Sequence, residues 1–199
     1  PVHGVHSIDE MSCRLFPAET DPPATVELVR KIKRAIQRSA GECVTCSVGI
    51  APNMLLAQVA ADMQKPDGMT FIHDHDLPQK LFSLKLDDLP GIGPRMLKRL
   101  NSSGVMSIET LCDLPESRLR EIWGSVVGQR WWYRLRGYDV VEPKTHRSSC
   151  GHSHVLPPEL RTMDGARTVL IRLIHKVGAR LRRMNYWAGR LEVHLSFMN

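Results

Sequence analysis

Ser7-Ile-Asp9-Glu10 sets two carboxylates side by side, flanked by short alternating segments. Such a pair is what a two-metal phosphoryl-transfer site needs, because Mg²⁺ prefers hard oxygen ligands and a metal pair lowers the charge on the attacking and leaving oxygens. An acidic surface turn is the plainer alternative. Such a site usually draws a further carboxylate from elsewhere in the fold, and this sequence offers no obvious partner. Lys65 is a second candidate. It stands at a predicted helix end beside Pro66-Asp67-Gly68, where an ammonium could meet a triphosphate or simply complement the helix C-terminus. The third candidate is Leu89-Pro-Gly-Ile-Gly-Pro94, followed by Arg95, Lys98 and Arg99. A hairpin of this kind at Gly91, Ile92 and Gly93 exposes backbone N–H groups that can bind a phosphate oxygen, with the basic residues on the first turns of the next helix. It touches backbone and not bases, so it predicts nucleic-acid binding without sequence preference. A tight turn between two packing helices is its alternative.

These residues need elements to hold them. Val2 to Ser7 and Met11 to Phe16 read as two short strands around Ile8-Asp9-Glu10, a hairpin with the acids at its tip. Val26, Val29, Ile32, Ala35 and Ile36 recur at helical spacing opposite Arg30, Lys31, Lys33, Arg34 and Arg38, which predicts an amphipathic helix over 25–39 closed by Gly41. A buried strand is expected over 43–50, a helix over 54–64 with Asn53 as N-cap, and another strand over 69–73. This is an α+β layer. From Leu84 to Gly137 short helices separated by Gly and Pro form an all-helical module. Residues 141–148 are polar, hold Pro143 and form the linker candidate. Beyond it the reading is a strand over 149–156, a Pro157-Pro158 break, a long helix capped by Thr162 or Asp164, and a final strand over 190–197.

Composition narrows the setting. The 199 residues are 42% apolar, enough for one or two cored domains, and Lys and Arg exceed Asp and Glu by 27 to 21. A net charge of +6 favours a polyanionic partner. Basic residues run from Lys144 to Arg190 against only Glu159, Asp164 and Glu192, making the last quarter a candidate phosphate-binding face. No stretch approaches the roughly 18 apolar residues of a membrane span, and the start carries no signal peptide, so no membrane partner and a cytoplasmic location are expected. Five cysteines without framework spacing fit a reducing compartment. Cys43-Val-Thr-Cys46 has metal or redox spacing, but on a strand its two thiols would point to opposite faces. His73-Asp-His-Asp76 could hold a cation or form a solvated turn. A start without Met, running straight into an alternating segment, is expected for an internal piece of a longer protein.

Ser-Ile-Asp-Glu at 7–10, Thr-Cys-Ser-Val-Gly-Ile-Ala-Pro-Asn at 45–53, Lys-Pro-Asp-Gly at 65–68 and Leu-Pro-Gly-Ile-Gly at 89–93 resemble, in order and spacing, the DinB/UmuC type of Y-family translesion DNA polymerases. The resemblance implies an α+β multidomain fold. Its parts would be a partial palm over 1–82 (an antiparallel sheet with helices), a helix-hairpin-helix thumb over 83–140, the linker, and a partial α+β little finger over 149–199. It implies that Asp9 binds the catalytic Mg²⁺ ions and Glu10 helps organise the metal at the primer end. Lys65 would contact the incoming dNTP, Gly91, Ile92 and Gly93 would hold a DNA backbone phosphate, and Arg147 with the later arginines would line the little finger. Primer-template DNA and dNTP are the implied partners, with a sliding clamp reached through segments outside these residues. The implied activity of the parent is DNA-directed DNA synthesis across damaged bases. The piece alone is expected to be inactive, since the family's first metal-binding aspartate and its fingers domain are not in it. Met11, Cys13-Arg14-Leu15, Met54 and Gln58 depart from the family pattern. They keep open an alternative of a different class, a catalytically inactive polymerase-like DNA-binding protein of the damage response.

Overall fold

The structure is a computed structural model that describes residues 2–141 and 148–196. Its internal contacts form two units, Pro1–Val141 and Glu142–Asn199. The first begins with β1 (Val2–Val5) and β2 (Met11–Cys13), an antiparallel hairpin with a register shift between Val2 and Gly4. Helix α1 (Pro22–Ala40) follows, then β3 (Val48–Ile50), α2 (Met54–Met63) and β4 (Met69–Phe71). The remainder of the unit is helical: α3 (Pro94–Ser102), α4 (Ile108–Asp113), α5 (Glu116–Trp123) and α6 (Val126–Arg134).

The expected antiparallel sheet is two separate pairs among the described residues. β1 and β2 run antiparallel, whereas β3 and β4 pair in parallel with α2 as the crossover between them. A strand–helix–strand connection of this length returns the chain in the same direction, and the sequence pattern alone did not distinguish that pairing. Gly49 lets α2 lie directly on β3, since a Cβ there would stand 1.9 Å from Ala57 O. The Ser47 hydroxyl fastens the ends of the unit, donating to Gln64 O and accepting from the Gly68 amide.

Helix α1 starts at Pro22, ahead of the expected Thr25, because Pro22 and Pro23 occupy first-turn positions where no N–H is needed. Gly41 closes it as expected, with φ +125° and its amide on Gln37 O. The strand expected over 43–50 forms only at Val48–Ile50, because only those residues find a partner in β4. Cys43 and Val44 are exposed on irregular backbone, so the opposite-faces argument for the Cys43/Cys46 pair does not apply. The His73–Asp76 segment is a single 3-10 turn in which Asp76 accepts from the His73 amide and from Lys80.

One continuous core runs from Leu56, Val59 and Ala60 of α2 through Ile72, Leu81 and Leu89 to Leu100, Leu119 and Leu135. Cys112 is part of it, and burial pushes its thiol up to about 11. The folded thiol therefore holds its proton in the window where an unfolded one, with a pKa of 9.0, would lose it. Its contribution to stability is whole below pH 9.0 and is lost as pH rises toward 11. The thermal unfolding midpoint of the native chain is expected to drop more steeply across that window than that of Cys112→Ala; equal slopes would refute the assignment.

In the second unit α7 (Met163–Arg183) is capped by Thr162, whose hydroxyl accepts from the Gly165 amide, which decides between the two cap candidates. The strands expected over 149–156 and 190–197 are absent among the described residues, where 148–157 and 184–196 find no ladder partner. Extended backbone without a paired neighbour is not a strand. Among the described residues this unit is therefore helical and not α+β. Residues 142–147, with most of the expected linker and Arg147, lie outside the described residues, as does the end of the last expected strand. Among the described residues no helix is long and apolar enough to cross a membrane.

Candidate functional site

The β1–β2 turn is built to present its acids. His6 and Ser7 amides donate to Glu10 O at 2.9 and 3.3 Å, which closes the turn and leaves Ile8, Asp9 and Glu10 on its outside. The Ser7 hydroxyl donates to Asp9 Oδ1 at 2.6 Å and accepts from the Asp9 amide, so one carboxylate oxygen is oriented and the other faces solvent.

Lys65 follows the C-terminal end of α2. It pairs with Asp62 at 2.6 Å, one turn earlier, and that hydrogen bond and charge raise its pKa. The charges of Glu10 and then Asp9 raise it further, so the fold brings the lysine and the acidic turn into one electrostatic neighbourhood. The turn after Lys65 is braced from α1: Lys33 Nζ donates to Asp67 O, to Asp67 Oδ1 at 2.9 Å and to Gly68 O at 3.1 Å. Sequence reading assigned Lys33 to the solvated face of α1. Its side chain is largely buried because α1 lies against this turn, a contact that helical periodicity cannot report.

The hairpin before α3 turns at Gly91, with φ +96°, where an L side chain is strained. A Cβ at Gly91 would lie 3.4 Å from the Trp131 ring on α6. Ile92 is buried and its amide closes the turn on Leu89 O at 3.0 Å. Gly93 is the N-cap of α3, extended at φ −79° and ψ 178°, and a Cβ there would meet nothing within 4 Å. Pro94 has no N–H, and the Met96 and Leu97 amides both bond Gly93 O. Among the described residues the amides of Gly91, Gly93 and Arg95 have no backbone acceptor, which leaves three donors at a positive helix end.

Arg95 and Lys98 are exposed on α3 near these amides. Arg99 is used differently. Its Nη1 donates to Ile122 O and Trp123 O at 3.2 and 3.3 Å, capping the C-terminal end of α5, so it braces the helices behind the hairpin. Arg136 has a similar bracing role, stacked 3.8 Å over the Trp132 ring and donating to Trp132 O and Cys112 O.

Two joints that no spacing rule indicated tie the acidic layer to the helical part. Arg14, just after β2, pairs with Asp139 at 2.9 Å. Asn53 caps α2 as expected, accepting from the Leu56 amide, and its amide nitrogen also donates to Arg134 O and Tyr138 O.

Comparison with known proteins follows this division. Residues 1–62 match the impB/mucB/samB family, residues 87–139 match a model described as DNA polymerase-iota, thumb domain, and residues 147–199 match the impB/mucB/samB family C-terminal domain. A DNA polymerase IV of Moorella thermoacetica is 36% identical over 177 residues, covering 87% of this chain and 43% of the relative. One from Saccharolobus solfataricus is 32% identical over 139 residues, covering 70% of this chain and 38% of the relative. Thus the chain spans less than half the length of these relatives. Among solved structures, an insertion ternary complex of Dbh DNA polymerase is similar with TM-score 0.51 and 32% identity, over 63% of this chain and 36% of that one. A further Dbh ternary complex covers 81% of this chain and 48% of that one, at TM-score 0.50 and 29% identity.

Proposed function

Because the chain belongs to the Y-family of DNA polymerases, matching the impB/mucB/samB family over both ends of its length, we propose that it is the DNA-holding portion of a translesion polymerase. In this reading residues 1–82 belong to the palm, 83–140 to the thumb and 149–199 to the little finger, joined by a linker over 141–148. The thumb grips the backbone of a primer-template duplex, and the palm offers its carboxylates to the primer end and an incoming dNTP. The parent protein adds nucleotides opposite damaged bases. Cytoplasmic location and clamp recruitment through other segments belong to the same proposal.

The observation that carries the reading is the hairpin, where the Gly91, Gly93 and Arg95 amides have no backbone acceptor at the start of α3, beside Arg95 and Lys98. Backbone amides at a helix N-terminus bind a phosphate through partial charge and hydrogen bonding together. Arg99 supports the hairpin from behind, and Arg147 is proposed to reach the duplex from the little finger.

The acidic turn fits Mg²⁺ in its donor set. Asp9 and Glu10 offer exposed oxygens, and Mg²⁺ is commonly held by one or two carboxylates together with substrate phosphates and water. When bound there it would neutralise charge on the attacking and leaving oxygens. The chain's own residues prepare that chemistry: Ser7 orients Asp9, the Glu10 carbonyl closes the turn, and Lys65, paired with Asp62, supplies a cation for the triphosphate.

The deciding experiment is binding of the 199-residue chain to a labelled primer-template duplex across a salt series. Salt-steep affinity that ignores sequence supports the reading; no binding at low salt would sink it. Lys65→Ala is expected to weaken dNTP binding by roughly tenfold while leaving duplex affinity unchanged, since a charged contact to phosphate is lost at a site separate from the hairpin. Equal dNTP affinity in the two proteins would remove Lys65 from the triphosphate site. If the complete gene product binds duplex and dNTP but adds no nucleotide, the non-catalytic DNA-binding alternative takes the place of the polymerase reading.

A further inference from the structure

We infer that Asn53 is a positioning residue that fixes the Gly91–Gly93 hairpin relative to the Lys65 end of α2, an inference that rests on the reading of that hairpin as a DNA-phosphate site. Asn53 and Thr25 are the buried polar residues among the described ones, and Asn53 is only 6% exposed. Its side chain is engaged at both ends. Oδ1 accepts from the Leu56 amide at 3.0 Å and so caps α2, while Nδ2 donates to Arg134 O at 2.8 Å and to Tyr138 O at 3.2 Å. One amide thus spans the first turn of α2 and two carbonyls at and just beyond the end of α6.

Each of these helices leads to a candidate phosphate-binding group. Helix α2 (Met54–Met63) runs from its cap Asn53 past Asp62, which pairs with Lys65. Helix α6 carries the buried Trp131, against which Gly91 turns so closely that a Cβ there would touch the ring at 3.4 Å. A shift of α6 relative to α2 therefore moves the hairpin relative to Lys65. Two other contacts converge on the same stretch. Arg14 reaches Asp139, and Gly137 sits so close to Asp74 that a Cβ would lie 2.6 Å from Asp74 Oδ1. The Arg14 pair is exposed on both sides and contributes little, so the buried amide is the stronger part of the joint.

The chemistry explains why an amide stands here. A short side chain must accept one hydrogen bond and donate two, which Asn does and neither Asp nor Ser can. Asp would keep the cap but turn a lone pair toward two carbonyl oxygens. Ser would keep the cap and withdraw the donor from them.

The test uses the 199-residue chain as parent, Asn53→Asp and Asn53→Ser, with two readouts. Backbone amide resonances of Gly91, Gly93 and Arg95 are expected to move in both variants. Duplex affinity is expected to fall roughly tenfold, with dNTP affinity unchanged by comparison. Combining Asn53→Asp with Gly93→Ala should lose less than the sum of the two, because a displaced hairpin has less binding left to lose. Unchanged hairpin resonances, or strictly additive losses, would overturn the inference. If circular dichroism reports that Asn53→Asp is unfolded, Asn53→Ser carries the same comparison with the cap intact. If the parent itself ignores duplex, the DNA reading falls separately and the resonances decide alone: movement confined to residues 53–56 and 134–138 would refute a link to the hairpin.

Discussion

Gly93→Ala is expected to leave the thermal midpoint unchanged and to weaken duplex binding roughly tenfold, whereas Gly91→Ala/Gly93→Ala should weaken it by about a hundredfold and also lower stability. The two glycines differ in what they are needed for. Gly93 has an extended backbone that any residue adopts, and a Cβ there meets no atom of the chain within 4 Å. Its hydrogen therefore faces open space, and in the proposed reading a methyl group obstructs the phosphate without disturbing the protein. Gly91 has φ +96°, so alanine strains the turn, while its Cβ would only touch the Trp131 ring at 3.4 Å. The strain costs about 1–2 kcal/mol. The measurement is fluorescence anisotropy of a labelled primer-template duplex at two salt concentrations, beside a thermal melt. A Gly93→Ala protein that binds like the parent would remove the hairpin from the DNA interface, whatever happens to the double variant.

Gly49→Ala is expected to cost about 3 kcal/mol or more of stability and to lower the unfolding midpoint by roughly 10 °C. A Cβ at Gly49 would stand 1.9 Å from Ala57 O, 2.4 Å from Ala61 N and 2.9 Å from Ala60 Cβ. Two of these are helix backbone atoms, which cannot rotate away as the end of a side chain could, so β3 and α2 must separate. Ala60 is fully buried in the core beneath that contact, and Lys65 hangs from the same helix. The loss therefore reaches both folding and the Lys65 end of α2. Urea or thermal unfolding followed by far-UV circular dichroism measures it, with Gly93→Ala as the control of equal chemistry in open space. A Gly49→Ala protein as stable as the parent would mean that β3 and α2 do not pack as described.

What the sequence carried on its own was local. The 3.6-residue apolar stripe specified α1 and α7, Asn53 was visible as a cap, Thr162 as one of two cap candidates, and Gly41 as a helix end, because each depends on neighbours within about one helical turn. The acidic turn, Lys65 and the Gly-Ile-Gly hairpin were legible as candidates for the same reason, since their residue types and short spacings can be read without knowing what lies across the fold. Strands were less legible. The run over 43–50 has strand composition throughout, yet only Val48–Ile50 pairs, and the segments over 149–156 and 190–196 pair with nothing among the described residues. A strand is made by its partner, and a partner is a nonlocal fact. The same distinction separates the site's parts. Tertiary structure alone put Lys33 under the Lys65 turn, sent Arg99 to the carbonyls of α5, brought Glu10 and Asp9 within electrostatic reach of Lys65, and gave Asn53 its second task on α6. Each of these joins residues tens of positions apart, and such contacts form only once the chain has folded around its core, from Leu56 to Leu135.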